Sequence, residues 1–220
     1  VVGEQSNQIQ NYYRSNIQLN DYLRTHNKLD KLPLVAPLEG VDIHFVTQPS
    51  TGSYGTSVPV GLVSQFIDDD ESAVVIMGDQ FFYRTDEGSN TADLISIVSE
   101  RGVRAGLFGN ELPDELVPKF GIIEKDASDH FVRIIEKPSL EEAPSNLNNS
   151  SFYIFDKPIF ELARTLPPNA ARGEREVTDA INQYVKNGGK IAVGTVSGEY
   201  MECGSPEGWL HANNVVSGQQ

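Results

Sequence analysis

The sequence predicts an α/β protein with a mixed but mostly parallel sheet that is flanked by helices and carries a small β-hairpin part. Strand-like and helix-like segments alternate along most of the chain, which is typical of a parallel sheet with helical connections. One polar turn lies between two strand-like segments and indicates the hairpin. With 220 residues, 39% of them hydrophobic, the chain can build one core, so we expect a single domain over residues 1–220.

In the first half of the chain, apolar spacing predicts two amphipathic helical pieces, one around Ile9 and one between residues 17 and 23. Buried strands are predicted where apolar or β-branched residues run together: "DIHFVT" (42–47), "SAVVIM" (72–77) and "VRAGLFG" (103–109). Helices are predicted at 58–66, with Pro59 in the first turn, and at 91–100, with Thr91 as the N-cap.

In the second half, "FGIIEKD" (120–126) and "HFVRIIEKP" (130–138) flank a polar turn and predict the hairpin. Two further strands are predicted, "SFYIFD" (151–156) and "KIAVGTV" (190–196). The remaining helices are predicted at 158–165, 177–185 and 206–212. The chain therefore keeps the strand–helix alternation to its last segment.

Charge and composition exclude several classes of protein. The net charge is −14 and no Lys/Arg cluster occurs, so we expect no nucleic-acid partner. A phosphorylated ligand would need a divalent cation or a few placed Lys/Arg beside it. No run of 18 apolar residues occurs, so we expect no membrane span. Cys203 is the only cysteine, which favours a reducing, cytoplasmic setting.

Asp79 follows a buried strand in "VVIMGDQFFY" (74–83). Ligands of open α/β sheets bind beyond the carboxyl ends of the strands, which is where the carboxylate would lie. Mg²⁺ prefers one or two carboxylates together with substrate phosphates, so Asp79 is a candidate metal ligand. The alternative is a residue that only forms the turn.

Glu136 and Lys137 end the second strand of the predicted hairpin, just before Pro138. A carboxylate can accept hydrogen bonds from sugar hydroxyls, and an ammonium can hold a phosphate. Because neighbours on a strand point to opposite faces, we do not expect the two side chains simply to bridge each other. The alternative is a solvated sheet edge.

Two loops are further candidates. "QPSTGSYGTS" (48–57) would offer backbone N–H groups to an anion or a base edge, although it lacks the lysine of a P-loop. Glu202, in "GEYMECGSPEG" (198–208), is either a second metal ligand or a solvated acid. The acidic run 68–71 precedes a strand instead of following one, and we interpret it as a solvated loop.

Taken in order, these stretches resemble the sugar-1-phosphate nucleotidyltransferases, and within them the bacterial-type UTP–glucose-1-phosphate uridylyltransferases (UDP-glucose pyrophosphorylases). The resemblance covers nearly the whole chain. The segments that carry it are "YYRSNIQLNDYLRTHNK", "FVTQPSTGSYGTSV", "VVIMGDQFF", "FGIIEKD", "IIEKP" followed by "EEAPSNL", "FYIF", "GEREVTDAI" and "ECGSPEGWLHAN". The Ala-Pro-Ser-Asn stretch leans toward the uridylyl branch. The resemblance implies the nucleotide-diphospho-sugar transferase version of the Rossmann-like fold.

For the nucleotide, the resemblance implies that Gln48 hydrogen-bonds the uracil edge of UTP, beside the backbone of Gly55. Asp79 would bind Mg²⁺. Glu202 stands where the family has its second metal-binding aspartate.

For the sugar, the resemblance implies that Gly121 lets the backbone approach glucose 1-phosphate and that Glu136 accepts from its hydroxyls. Glu176 would also reach the sugar, and Lys137 would hold the sugar phosphate. Lys137 and Asp79 are thus the implied catalytic residues. The resemblance leaves a homo-oligomer open.

Four positions depart from the family pattern. Ser53 and Ser151 stand where the family has glycines, Thr56 where it has a histidine, and Glu202 where it has an aspartate. The family also opens with a strand and a Gly-rich phosphate loop, whereas this chain starts at "VVGEQSN", which is similar to the end of the family's second strand. We therefore expect the given residues to be a fragment or a divergent remnant, and a fragment without that loop to show no turnover by itself.

The sequence leaves two alternatives to the uridylyltransferase hypothesis. One is a non-catalytic module of the same fold that binds a sugar nucleotide or a partner. The other is a glycosyltransferase of related topology, which we disfavour because such enzymes use Asp-x-Asp after the strand and "GDQF" has a single aspartate.

Overall fold

Helices and strands alternate in the computed structural model, which describes residues 1–5, 7–37 and 39–218. They belong to two compact units, Val1–Gly52 and Ser53–Gln220. The expectation of a single domain stays a prediction. The first unit contains β1 (Val2–Gly3), α1 (Gln8–Tyr13), α2 (Ile17–Thr25), a 3₁₀ helix (Leu29–Val35) and β2 (Thr47–Gln48). Its two short strands pair in parallel.

The second unit contains the larger set of elements. Its strands are β3 (Ser72–Ile76), β4 (Gln80–Tyr83), β5 (Ala105–Glu111), β6 (Gly121–Lys125), β7 (Phe131–Glu136), β8 (Leu147–Asp156), β9 (Ile191–Thr195) and β10 (Glu199–Glu202). Its helices are α3 (Ser57–Leu62), α4 (Asn90–Glu100), α5 (Lys157–Thr165), α6 (Val177–Lys186) and α7 (Pro206–Ser217), with 3₁₀ helices at Ser64–Phe66 and Asp114–Lys119.

Six strands of this unit form one mixed sheet in the order β7-β6-β8-β5-β9, with β3 also paired to β8. The predicted α/β class with a mixed, helix-flanked sheet is confirmed. The prediction that most neighbours are parallel was wrong, because among the described pairings of this sheet only β5 and β9 run parallel. β3 and β5 do point the same way, but β8 lies between them and is antiparallel to both.

Strands β5 and β8 are covered by helices on both faces, which explains their continuous apolar runs. On one face, Tyr153 and Phe155 of β8 pack in a cluster with residues of α3, α5 and α6. On the other face, Phe152 and Ile154 pack with Leu94 and other residues of α4. Alternate side chains of β8 thus belong to two cores, one on each face of the sheet. This packing holds rigidly the β8 residues that precede Phe152.

Local predictions failed where hydrogen-bond partners decided the outcome. The strand predicted at 42–47 is reduced to Thr47–Gln48, because only these residues pair with β1. The N-cap of α4 is Ser89 and not Thr91, since the Ser89 hydroxyl accepts from the Ala92 N–H. The predicted hairpin is confirmed as β6 and β7.

The antiparallel ribbon of β4 and β10 was not predicted. Its four residue pairs join Gln80–Tyr83 to Glu199–Glu202 across more than half of the chain. Within the ranges that the structure describes, no helix combines the length and the apolar content that crossing a bilayer requires.

Candidate active site

A cavity of about 240 Å³ lies in the second unit, where the hairpin β6–β7 meets β8 and the start of α6. Four residues that the sequence singled out line it: Gly121, Glu136, Lys137 and Glu176. The structure therefore brings together the whole set that the resemblance assigned to the sugar phosphate. Their individual roles stay predictions.

Glu136 and Lys137 line the same cavity, which differs from the alternation expected for strand neighbours. The reason is the backbone of Lys137, whose φ of 47° lies in the left-handed region and outside the strand conformation. Its N–H donates to the Phe120 carbonyl at 3.0 Å, which holds this turn against the start of the hairpin. The ammonium and the carboxylate can therefore act on one ligand.

Gly121 is opposite Glu136 in the β6–β7 register. A Cβ at Gly121 would lie 3.0 Å from Glu136 Oε1, so the glycine leaves room for that carboxylate. Burial raises the pKa of Glu136, and the opposing effects of the Thr178 hydroxyl and of the charges on Arg172 and Lys137 are too small to cancel it. Glu136 forms no salt bridge within the part of the chain that the structure describes. It is a desolvated acceptor without a neutralising partner.

Glu176 is in a different electrostatic situation. Arg172 Nε donates to Glu176 Oε1 at 2.7 Å, and a second guanidinium nitrogen of Arg172 donates to Oε2. This hydrogen bonding raises the pKa of Arg172. The cavity is thus lined by the paired carboxylate of Glu176 and the unpaired carboxylate of Glu136, together with a third acidic residue, Glu174.

Several lining groups were missed by sequence reasoning. Lys119, on the 3₁₀ helix before β6, adds a second ammonium to the cavity wall. The side-chain oxygens of Gln80, Asn149 and Thr178 are buried and have no hydrogen-bond partner among residues 1–5, 7–37 and 39–218. Asn149 and Thr178 are 8% and 3% exposed. A signal for Asn149 existed, because "LNNSS" places polar residues in a strand that is otherwise apolar.

The loop 53–57 is tied to the start of α6. Ser57 N–H donates to the Arg175 carbonyl at 2.8 Å, and Val177 N–H donates to Thr56 Oγ1 at 2.9 Å. Gly55 has a φ of 118°, and a Cβ there would collide with the Arg175 backbone. Packing on Arg175 therefore already requires a glycine at position 55, and its role toward a base stays a prediction.

Gln48 belongs to the first unit, where it pairs with Gly3 at the end of β2 and is half-buried. Its predicted contact with a uracil edge stays a prediction. Ser53, the departure in the loop, is exposed to solvent.

The β4–β10 ribbon brings Asp79 and Glu202 together. Cys203 N–H donates to the Asp79 carbonyl at 2.7 Å and extends the pairing beyond Glu202. A Cβ built at Gly204 would lie 2.6 Å from Glu202 Oε1 and 3.4 Å from Asp79 Oδ2. The two carboxylates that the sequence proposed as metal ligands therefore converge on one glycine.

This pair of carboxylates fits a hard divalent cation. Glu202 is held in place by the Gly204 N–H at 2.6 Å and the Ser205 hydroxyl at 3.0 Å. No group of three or more His, Cys, Asp or Glu side chains suited to a metal occurs in the described ranges. The protein would thus supply two carboxylates and leave the other positions to phosphate oxygens and water, which is the arrangement Mg²⁺ prefers.

Tyr200 lies in β10 of the ribbon, opposite Phe82 and two residues before Glu202. Burial raises the pKa of its phenol, and the charges of Glu202 and Asp79 raise it further. Its ring contacts those of Phe82 and Phe120. A neutral phenol with its aromatic neighbours therefore lies beside the two carboxylates.

The sequence pattern of the family described as nucleotidyl transferase matches residues 5–217. The chain belongs to the nucleotidyl transferase family. The predicted resemblance is thereby confirmed at the level of the family.

Relatives of this family member are moderately similar in sequence. A protein of Methanocaldococcus jannaschii is 28% identical over 225 residues, which cover 100% of this chain and 76% of the relative. The low-salt glycan biosynthesis nucleotidyltransferase Agl11 of Haloferax volcanii is 32% identical over 80% of the chain and 46% of its own length. The UTP–glucose-1-phosphate uridylyltransferase of Streptococcus pneumoniae is 29% identical over 84% of the chain and 63% of its own length. The match thus spans less than two thirds of the latter two relatives.

Solved structures share the fold. The UTP-bound UGPase of Acinetobacter baumannii superposes with a TM-score of 0.85 at 23% identity, covering 99% of this chain and 75% of that one. A UDP-glucose pyrophosphorylase complexed with UDP-glucose gives a TM-score of 0.77 at 22% identity, covering 100% and 80%. At these identities the likeness shows a common fold.

Proposed function

We propose that this nucleotidyl transferase family member transfers a uridylyl group from UTP to glucose 1-phosphate, giving UDP-glucose and pyrophosphate with Mg²⁺ as the cofactor. The observation that carries the proposal is the composition of the cavity. Unpartnered acceptors on Asn149 and Thr178 and the unpaired carboxylate of Glu136 lie in one cavity with Lys137. The hydroxyls of a polyol would donate hydrogen bonds to the oxygens of Asn149, Thr178 and Glu136. A phosphate at one end of the same ligand would pair with the ammonium of Lys137.

The ribbon supports the second half of the proposal. Asp79 lies in sequence between Met77 and Gln80, both of which line the cavity. A cation bound by Asp79 and Glu202 would neutralise phosphate charge at the edge of the sugar site. The protein is acidic overall, with a net charge of −14, and an anionic ligand needs such neutralisation.

The reaction then needs no protein nucleophile. A phosphate oxygen of glucose 1-phosphate forms the new bond to the α-phosphorus of UTP, the bond to the leaving oxygen breaks in line, and pyrophosphate departs. Lys137 holds the attacking phosphate, and Glu136 orients the sugar through its hydroxyls. Catalysis on this scheme consists of positioning and charge neutralisation.

The choice of uridine rests on the sequence and the relatives. Gln48 can pair with a uracil edge through its amide, and the Ala-Pro-Ser-Asn stretch is similar to that of the uridylyl branch. The Streptococcus relative is named for the same reaction. Agl11 is named as a nucleotidyltransferase of glycan biosynthesis, so similar proteins also act in other biosynthetic processes.

The test combines binding with turnover. Titration calorimetry with UTP, dTTP, ATP and CTP in the presence of Mg²⁺ should give the tightest binding for UTP, and binding of ATP equal to that of UTP would contradict the choice of nucleotide. Pyrophosphate release should then require both UTP and glucose 1-phosphate. Tight binding of UDP-glucose by a protein that extends through all family segments, but without turnover, would favour the non-catalytic module instead.

A further inference from the structure

Among the described residues, the non-glycine positions with positive φ are Asn27, Asp129, Lys137 and Ser151. Asn and Asp adopt this conformation readily because their short polar side chains can hydrogen-bond locally. Lys and Ser do so far less often, and both of these line the 240 Å³ cavity. Disfavoured backbone is therefore concentrated at one place in the molecule, which is typical of a ligand site.

Ser151 owes its conformation to an irregularity in β8. The pairing of β5 with β8 shifts between Leu107, which is opposite Tyr153, and Gly109, which is opposite Asn149. Ser151 lies in the resulting bulge, at a φ of 56°. Its carbonyl accepts from the Met77 N–H at 3.2 Å, so the bulge is also fixed from the side of β3. Bulges of this kind re-aim side chains next to active sites.

At the bulge, Ser151 places a hydroxyl in the cavity wall, whereas a glycine would leave that space open. The resemblance expects a glycine at this position, and glycine would adopt a φ of 56° without the contact between Cβ and carbonyl that disfavours serine. The serine side chain is half-buried and lines the cavity together with Glu136 and Thr178. A strained serine is therefore present at the point where backbone geometry favours glycine.

We propose that Ser151 determines which sugar the cavity accepts. Its hydroxyl hydrogen-bonds a hydroxyl of the hexose, and its Cβ and Oγ narrow the wall so that an unsubstituted hexose binds better than an N-acylated amino hexose. This inference rests on the proposed function, because it refines the choice of sugar at that site.

The test uses two variants and two nucleotide sugars. Binding of UDP-glucose and UDP-N-acetylglucosamine is measured by calorimetry for the wild type, Ser151→Ala and Ser151→Gly. Ser151→Ala should weaken UDP-glucose about two- to tenfold, as expected for one neutral hydrogen bond, and leave UDP unchanged. Ser151→Gly should in addition raise the affinity for UDP-N-acetylglucosamine relative to UDP-glucose, because it removes Cβ as well.

Two controls separate recognition from structure. Ser128→Ala, at an exposed serine in the β6–β7 turn, should change no affinity. The Tm of Ser151→Gly should be equal to or above that of the wild type, because glycine relieves the left-handed strain.

The outcomes are distinguishable. If the wild type binds UDP-glucose but both Ser151 variants keep its affinity and its preference, the specificity role is wrong and the proposed function survives. If the wild type binds neither nucleotide sugar, both the proposed function and the inference are wrong. A loss of UDP-glucose affinity accompanied by an equal loss for UDP would also overturn the inference, since it would indicate general damage.

Discussion

The cavity around Glu136 and the Glu202 carboxylate at the end of the β4–β10 ribbon differ in how their oxygens are satisfied. In the cavity, the oxygens of Asn149 and Thr178 are buried without partners in the described structure, and Glu136 has no salt bridge there. In the ribbon, both carboxylate oxygens of Glu202 already accept hydrogen bonds, one from Gly204 and one from Ser205. One region is incomplete without a ligand, and the other is pre-organised.

This difference separates two kinds of recognition. A buried polar group without a partner costs about 1–3 kcal/mol, which a ligand hydroxyl can offset by supplying the hydrogen bond. The carboxylates of Asp79 and Glu202 need positive charge instead of further hydrogen-bond donors. We therefore expect ligand specificity to depend on the cavity and metal dependence to depend on the ribbon.

The largest expected effect is that of Asp79→Asn. An amide keeps the shape but loses the charge, and we expect the Mg²⁺-dependent part of UTP affinity to disappear. Even outer-shell partners of a metal contribute about 10–100-fold, so a direct ligand should exceed that range. Calorimetry of UTP with and without Mg²⁺ measures the effect, with Asp70→Asn in the exposed acidic loop as the control. A variant that responds to Mg²⁺ like the parent would show that Asp79 only forms the turn.

Next in size is Lys137→Met, which removes the ammonium and keeps much of the stem. A hydrogen bond to a charged group contributes about 1.5–3 kcal/mol, so glucose 1-phosphate should bind roughly ten- to a hundredfold more weakly. UTP affinity should change little. Lys186→Met, at the exposed end of α6, is the matched control. Unchanged binding of the sugar phosphate would place the phosphate elsewhere, with Lys119 as the next residue to test.

Glu136→Gln should have opposite effects on the free energy of unfolding and on ligand affinity. Because the folded pKa of Glu136 is raised by burial, ionisation of Glu136 lowers the stability of the native state as pH rises through that pKa. The variant should therefore have a higher free energy of unfolding than the parent at pH 8, and this gain should vanish below the ordinary Glu value of 4.5. Denaturant titrations at several pH values test this. The same variant should bind UDP-glucose more weakly, and a parent that is the more stable protein at pH 8 would contradict the argument.

The smallest effects come from two threonines on the cavity wall. Thr56 Oγ1 accepts from the Val177 N–H at the start of α6, whereas Thr178 Oγ1 has no partner in the described ranges. Thr56→Val should lower the free energy of unfolding by about 0.5–2 kcal/mol, as loss of a cap does. Thr178→Val should leave it equal or higher and instead weaken UDP-glucose about two- to tenfold. If Thr56→Val and Thr178→Val lower the free energy of unfolding equally, the distinction between a paired and an unpaired hydroxyl is wrong.

Much of the fold follows from local pattern. The helices α4, α5 and α6, the strand β9 and the hairpin β6–β7 were predicted within a few residues, because apolar spacing and turn residues act over short distances. The set Gly121, Glu136, Lys137 and Glu176 was named through the resemblance, and the structure places all four around one cavity.

Other features depend on pairings across the chain. The strand predicted at 42–47 became two residues long, and the ribbon that joins Gln80 to Glu202 was missed, because a partner distant in sequence decides whether an extended segment forms a ladder. The direction of β8 escaped prediction for the same reason. It enters the sheet from the hairpin and so runs antiparallel to β3 and β5, although those two strands point the same way.

By itself, the amino-acid sequence determined the α/β class, the family and the candidate carboxylates, since these depend on periodicity and on motifs in order. Only the tertiary structure decided that Asp79 and Glu202 converge, that Lys137 turns into the cavity of Glu136, and that Ser151 and Thr178 face the same space. Strand register, left-handed backbone and buried oxygens without partners distinguish these positions. Each is set by contacts between residues far apart in the chain, which no local pattern records.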